Sequence, residues 1–125
     1  MRYLAAKHGY AIEDDIVALQ ADTICDDYEG TFIGKMNTPG LMHLGLKSSD
    51  GREEYIDQLF SEIIPAFLTK IEPLCAGDGK FMFGDKLTIA DFWIGGMYVN
   101  NFVNPNCPWG QGKWEELLEK FPGFK

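Results

Sequence analysis

GDKLTIADF, residues 84–92, is written as the start of a helix. Thr88 stands at the capping position, where its hydroxyl oxygen can accept a bond from the backbone N–H near Asp91. Asp91, three residues on, can accept in turn from the N–H of Thr88, the reciprocal pair of a capping box. Its charge also falls in the first turn, where the helix dipole favours an anion. Leu87 before the cap and Phe92 four positions after it have the spacing of a hydrophobic staple. Together Thr88, Asp91, Leu87 and Phe92 set where a helix begins and how the chain enters it.

Downstream, the capped helix runs to about residue 102. Gly95 and Gly96 inside it each cost roughly 1 kcal/mol relative to alanine, which predicts a compensating close approach by a neighbouring helix. NPNCPWGQGK (104–113) reads as a loop, with Pro105 and Pro108 preventing helix continuation. A last short helix over 114–120 precedes FPGFK.

Upstream, FMFGDK (81–86) is a short extended approach and CAGDGK (75–80) a break. Before them, residues 51–74 carry the clearest helical pattern. Ile56, Leu59, Phe60, Ile63, Phe67, Ile71 and Leu74 form a buried face, with Glu53, Glu54, Asp57, Glu62 and Lys70 left wet. Pro65 lies inside this stretch and predicts a bend. Another helix begins at 12–15, with Glu13, Asp14 and Asp15 in its favourable first turn. Val17, Ala21, Ile24, Tyr28 and Phe32 continue it as a stripe at steps of four and three. Gly34 and the Pro39–Gly40 pair are read as its end, and residues 35–50 as a loop. Residues 1–9, MRYLAAKHG, have the form of the last turns of a helix stopped by Gly9. No strand, repeat or low-complexity segment stands out, so the expected fold is an all-α bundle of about five helices.

At 125 residues, 46% hydrophobic and 14% aromatic, the chain is long enough for one domain with a packed core. Its formal charge of -8 argues against nucleic acid or an anionic membrane surface as partner, since both reward lysine and arginine. No apolar run approaches the roughly 20 residues that cross a bilayer. Cys25, Cys75 and Cys107 are odd in number, widely spaced and without a CxxC pair. With no secretory signal either, they read as reduced thiols of a cytoplasmic protein. His8 and His43 lack partners at ligand spacing, so no metal site is expected.

Taken together, RYLAAKHGY, the helix over 63–74 with Pro65 and Glu72, FMFGDKLTIADF and FPGFK resemble the C-terminal helical domain of cytosolic glutathione S-transferases, closest in tone to the mu and sigma-like classes. The resemblance implies that residues 1–9 end a helix belonging to a thioredoxin-like N-terminal domain. Residues 10–125 would then be the helical domain, stopping before the family's last helices. It further implies glutathione as co-substrate with no cofactor, a hydrophobic electrophile, a homodimer and a role in detoxification. In that family the residue that stabilises the thiolate lies in the thioredoxin-like half. No catalytic residue is therefore expected here, and the chain alone is expected to be inactive. The alternative is a non-catalytic scaffold or interaction subunit, because the same fold serves in both capacities.

Four residues carry the binding expectations. Asp22 and Asp26 lie one turn apart on the same helix face, where like charges repel. By resemblance, Asp26 matches a carboxylate that contacts the γ-glutamyl amine of glutathione held by the neighbouring subunit, with Asp22 as its companion. An acidic residue common eight positions earlier in the family is Ala18 here. Phe32 and Met36 fall where the family builds one wall of its substrate pocket, and an apolar, adaptable pair suits varied electrophiles. Cys25, beside Asp26 and Asp27, reads as a packed core thiol, and Trp93, Tyr98 and Trp109 as core or interface aromatics.

Overall fold

A computed structural model describes residues 2–107, 109–110 and 112–124. Met1, Pro108, Gln111 and Lys125, on which parts of the sequence reading fall, lie outside the described residues, as does the side chain of His43. Five continuous helical runs make the fold, and no strand occurs among the described residues. The first is α1 (Arg2–His8). The second joins α2 (Asp15–Asp27), a π-helical segment (Tyr28–Ile33) and α3 (Gly34–His43). The third joins α4 (Arg52–Gln58), a π segment (Leu59–Ile63) and α5 (Ile64–Cys75). The fourth joins α6 (Ile89–Met97) to a π segment (Tyr98–Phe102), and the fifth is α7 (Lys113–Lys120), followed by a 3₁₀ turn (Pro122–Phe124).

The capping box at the head of α6 is formed. Asp91 is its hub. Oδ2 accepts from the Thr88 N–H and from the Thr88 hydroxyl, each at 2.7 Å, while Oδ1 accepts from the Met82 N–H at 2.9 Å. One carboxylate thus ties the extended approach to the helix it feeds. Phe92 remains exposed and packs edge-on against Tyr10, centroids 5.1 Å apart, with Leu87 half-buried nearby in sequence.

The expected loop over 35–50 is helix for most of its length. Gly34 adopts ordinary right-handed helical angles, and α3 continues through Pro39 to His43. Two facts override the local breaker signals. Met36 and Pro39 are both buried, so folding this stretch as helix buries apolar surface. And Pro39, which has no N–H, would leave the Lys35 carbonyl without its helical donor. The Tyr55 hydroxyl donates to that carbonyl at 3.1 Å from α4. The stop comes later, at Gly45 with φ of 71°, where the Leu46 N–H returns to the Leu41 carbonyl at 2.9 Å. Tyr55→Phe is expected to lower stability by about 1 kcal/mol, the cost of removing one donor from a freed carbonyl. Urea denaturation checks it, and an unchanged midpoint would mean that the carbonyl does not need the hydroxyl.

Around Pro65 the chain widens rather than breaks. The Leu59–Ile63 π segment ends as proline enters the first turn of α5, and the Ile64 N–H reaches back to the Leu59 carbonyl. The core runs between the second, third and fourth helical runs: Phe32, Leu59, Ile64, Leu68 and Met97 are fully enclosed. Phe60, Phe102, Trp109, Trp114 and Phe124 form an aromatic group at its far end. The expected wet face of the third run is wet at Glu53, Glu54, Asp57, Glu62 and Lys70.

Gly95 and Gly96 do not receive a neighbouring helix. A side chain added at either would meet nothing within 4 Å. Their bare backbone faces outward along α6, beside exposed Phe92 and Val99. Among the described residues, nothing compensates the helix cost of these glycines; what they leave is open space.

Candidate functional site

The open space at Gly96 belongs to a cleft. The helix stripe of α2 runs into the first π segment, which sets Tyr28, Glu29 and Ile33 opposite Phe92, Trp93, Gly96 and Asn100 on the fourth helical run. These seven residues line a cleft of about 550 Å³, within the range that holds small ligands. π segments lie on both sides, and such interruptions of helical register recur at functional sites. Tyr28 is clamped by rings: Phe32 at 5.4 Å, Trp93 at 5.5 Å and Phe67 at 6.0 Å between centroids. Burial holds its phenol above the ordinary titration range.

Glu29 and Trp93 also line a second, acidic cavity of about 240 Å³, together with Arg2, Asp22, Cys25, Asp26 and Ile89. Here the like-charge pair expected on α2 finds its structural answer. Arg2 Nε donates to Asp22 Oδ1 at 2.8 Å, and Arg2 Nη2 to Asp26 Oδ1 at 3.1 Å. The guanidinium is held above its ordinary value by the Asp22 hydrogen bond first and the Asp22 charge next, then by Asp26. Arg2 and Asp26 are well exposed and Asp22 is partly so, so the pairing is worth little in stability. With Glu29 counted, the cavity keeps an excess of negative charge. The neighbouring Asp27 points elsewhere, pairing with Lys70 on α5 at 2.6 Å.

The thiols are poor nucleophiles. Burial, and next the Asp22 charge, pushes Cys25 up to about 11; burial, and next the Asp91 charge, pushes Cys75 up to about 11. At neutral pH both are protonated. Cys107 is buried, its Sγ–H donating to the Trp109 carbonyl at 3.3 Å. No group of three or more histidine, cysteine, aspartate or glutamate side chains among the described residues could hold a metal ion.

Residues 41–125 match a family model described as "Glutathione S-transferase, C-terminal domain". The chain belongs to that family. The matched span, more than half of the chain, contains the glutathione transferase domain's capping box and the α6 side of the cleft. Asp22, Asp26, Phe32 and Met36 precede it, so the match does not bear on them. No curated protein and no solved structure matches the chain. No described helix of the transferase domain is long and apolar enough to cross a membrane.

The structure brings Asp22 and Asp26 together, as their spacing predicts, and adds Arg2, twenty or more residues away. It places Phe32 and Met36 in the main core, 0% and 4% exposed, and neither lines the cleft; Phe32 stacks on Tyr28, which does. Tyr28, Glu29, Ile33, Gly96 and Asn100 escaped the sequence reading as site residues. Tyr28 belongs to a helical stripe that reads as core, and Gly96 reads as a packing notch; only the absence of a covering helix turns both into a cleft.

Proposed function

We propose that this domain is the electrophile-binding half of a glutathione transferase, completed by a thioredoxin-like N-terminal domain and acting as a homodimer in the cytoplasm. The observation that carries the reading is the cleft between the first π segment and α6, solvent-facing and mostly apolar, in a chain of this family. Ile33, Phe92 and Trp93 offer apolar surface to an electrophile, and Phe32, stacked on Tyr28, supports the cleft from the layer beneath. The activated thiol of glutathione is supplied by the thioredoxin-like half. Asp26, with Asp22, faces the γ-glutamyl amine of glutathione held by the partner subunit. The exposed carboxylate and the excess negative charge of its cavity suit an ammonium group.

In the complete protein, Asp26→Asn is expected to weaken glutathione binding by about 1–3 kcal/mol. Asp27→Asn is expected to do far less, because that carboxylate is turned to Lys70. Calorimetric glutathione affinities for both variants decide it; equal affinities for wild type and Asp26→Asn would remove Asp26 from recognition. A second reading, a non-catalytic scaffold, is favoured by one specific observation: Arg2 already satisfies both Asp22 and Asp26. Under that reading the acidic pair only anchors α1 to α2, and Asp26→Asn lowers stability without touching glutathione affinity.

A further inference from the structure

The chain carries two Asp–Gly pairs, Asp50–Gly51 and Asp78–Gly79. In such a pair the glycine nitrogen can attack the aspartyl Cγ, because glycine has no side chain to stand in the way. The Cγ–N bond forms, the carboxyl hydroxyl leaves with the amide proton as water, and a five-membered succinimide closes. Water then opens the ring at either carbonyl. Opening at Cγ restores aspartate. Opening at the former main-chain carbonyl gives isoaspartate, whose backbone runs through Cβ and Cγ. No reagent besides water is needed.

The fold treats the two pairs differently. Residues 44–51 are all exposed, and a side chain added at Gly51 (φ +71°) would meet nothing within 4 Å. Neither the Asp50 carboxylate nor the Gly51 N–H makes a hydrogen bond to a described residue. The Asp78–Gly79 pair is exposed as well, but Gly79 packs backbone to backbone on Gly84. A Cβ at Gly79 would stand 2.8 Å from the Gly84 Cα. Gly84 is itself tied down: its carbonyl accepts from the Phe81 N–H at 2.8 Å, and its N–H donates to the Phe81 carbonyl at 3.2 Å. Ring closure swings the peptide between aspartate and glycine toward Cγ. Gly51 has room for that swing and Gly79 does not.

We infer that Asp50–Gly51 is a self-modification site, converting to isoaspartate through a succinimide, while the packing of Gly79 on Gly84 holds Asp78–Gly79 inert. The site lies at a junction of the fold. The Gly51 carbonyl accepts from the Tyr55 N–H at 2.9 Å in the first turn of α4, and the Tyr55 hydroxyl reaches across to the Lys35 carbonyl. Isoaspartate inserts its extra backbone carbon immediately before that turn and loosens the entry to the third helical run.

The test ages the 125-residue chain at neutral pH in water enriched in heavy oxygen, once folded and once in guanidinium chloride. Trypsin, used afterwards in ordinary water, places the two pairs in separate peptides, residues 48–52 and 71–80. Each ring opening leaves one heavy oxygen in the peptide, and electron-transfer fragmentation tells isoaspartate from aspartate. In the folded chain, Asp50 is expected to take up label about tenfold faster than Asp78, with isoaspartate accumulating at residue 50. In guanidinium chloride the two rates should converge, because the sequence of the pair is the same. Equal rates in the folded chain, an unchanged ratio in guanidinium chloride, or no label at Asp50 would each overturn the assignment. In the separated isoaspartyl form, the Tyr55 amide is expected to exchange hydrogen about fivefold faster than in the unmodified chain. Unchanged exchange would overturn the loosened helix entry.

Discussion

Asp91→Ala is expected to destabilise the domain by about 3 kcal/mol, well beyond the roughly 1 kcal/mol of an ordinary cap residue. The carboxylate accepts three bonds, from the N–H groups of Thr88 and Met82 and from the Thr88 hydroxyl. Two of those donors are backbone groups, and Thr88 is buried, so removing the acceptor leaves amides short of partners where solvent reaches poorly. Bonds to a charged acceptor are also stronger than neutral ones. Thr88→Ala, which leaves Asp91 bonded to both backbone N–H groups, should cost only about 1 kcal/mol. Urea unfolding of both variants checks the difference. Equal losses would show that Asp91 acts as one half of a capping box and nothing more.

Truncating Phe32 should cost more still, about 3–5 kcal/mol for Phe32→Ala. The ring is 0% exposed and packs against Phe67 at 4.9 Å and Tyr28 at 5.4 Å. Its removal opens a cavity in the middle of the helix packing and loosens the ring that lines the cleft. A residue that merely walled a surface pocket would lose far less, since its far side would already face solvent. The measurement is chemical denaturation of the isolated chain. A loss under about 1 kcal/mol would return Phe32 to the surface of the cleft.

Where the expectations held, a local cause was sufficient. The α6 start needs only Thr88 and Asp91 for its capping box, which forms as the spacing predicts, while the further bonds to Asp91 from the Met82 N–H and the Thr88 hydroxyl go beyond it. The wet face of the third helical run lies where the period puts it, but the π segment shifts the register of the buried face: Ile64 and Leu68, outside the expected stripe, are fully enclosed, while Ile56, Ile63 and Leu74 are half-buried. Where they failed, the cause lay across the fold. Gly34 and Pro39 are breakers by every local measure. The chain stays helical because Met36 and Pro39 are drawn into the core and Tyr55, from another helix, serves the carbonyl that proline leaves open.

The candidate site divides in the same way. Asp22 and Asp26 were visible as a pair because both sit on one helix face. Arg2, which holds them, was not, because nothing in local spacing connects residue 2 to residues 22 and 26. The cleft was illegible for a different reason. Glycines in a helix signal a missing side chain, and sequence cannot say whether another helix or open space fills the gap; here it is open space.

The most direct test of the electrophile-binding reading is glutathione conjugation to a neutral aromatic electrophile. It is measured for this chain alone, for the protein carrying a thioredoxin-like domain ahead of Arg2, and for Gly96→Leu in that complete protein. The chain alone should not exceed the uncatalysed rate. The complete protein should turn over, and Gly96→Leu should raise the KM for the electrophile about tenfold by filling the cleft while leaving that for glutathione unchanged. A complete protein without turnover, or Gly96→Leu kinetics identical to wild type, would contradict the account.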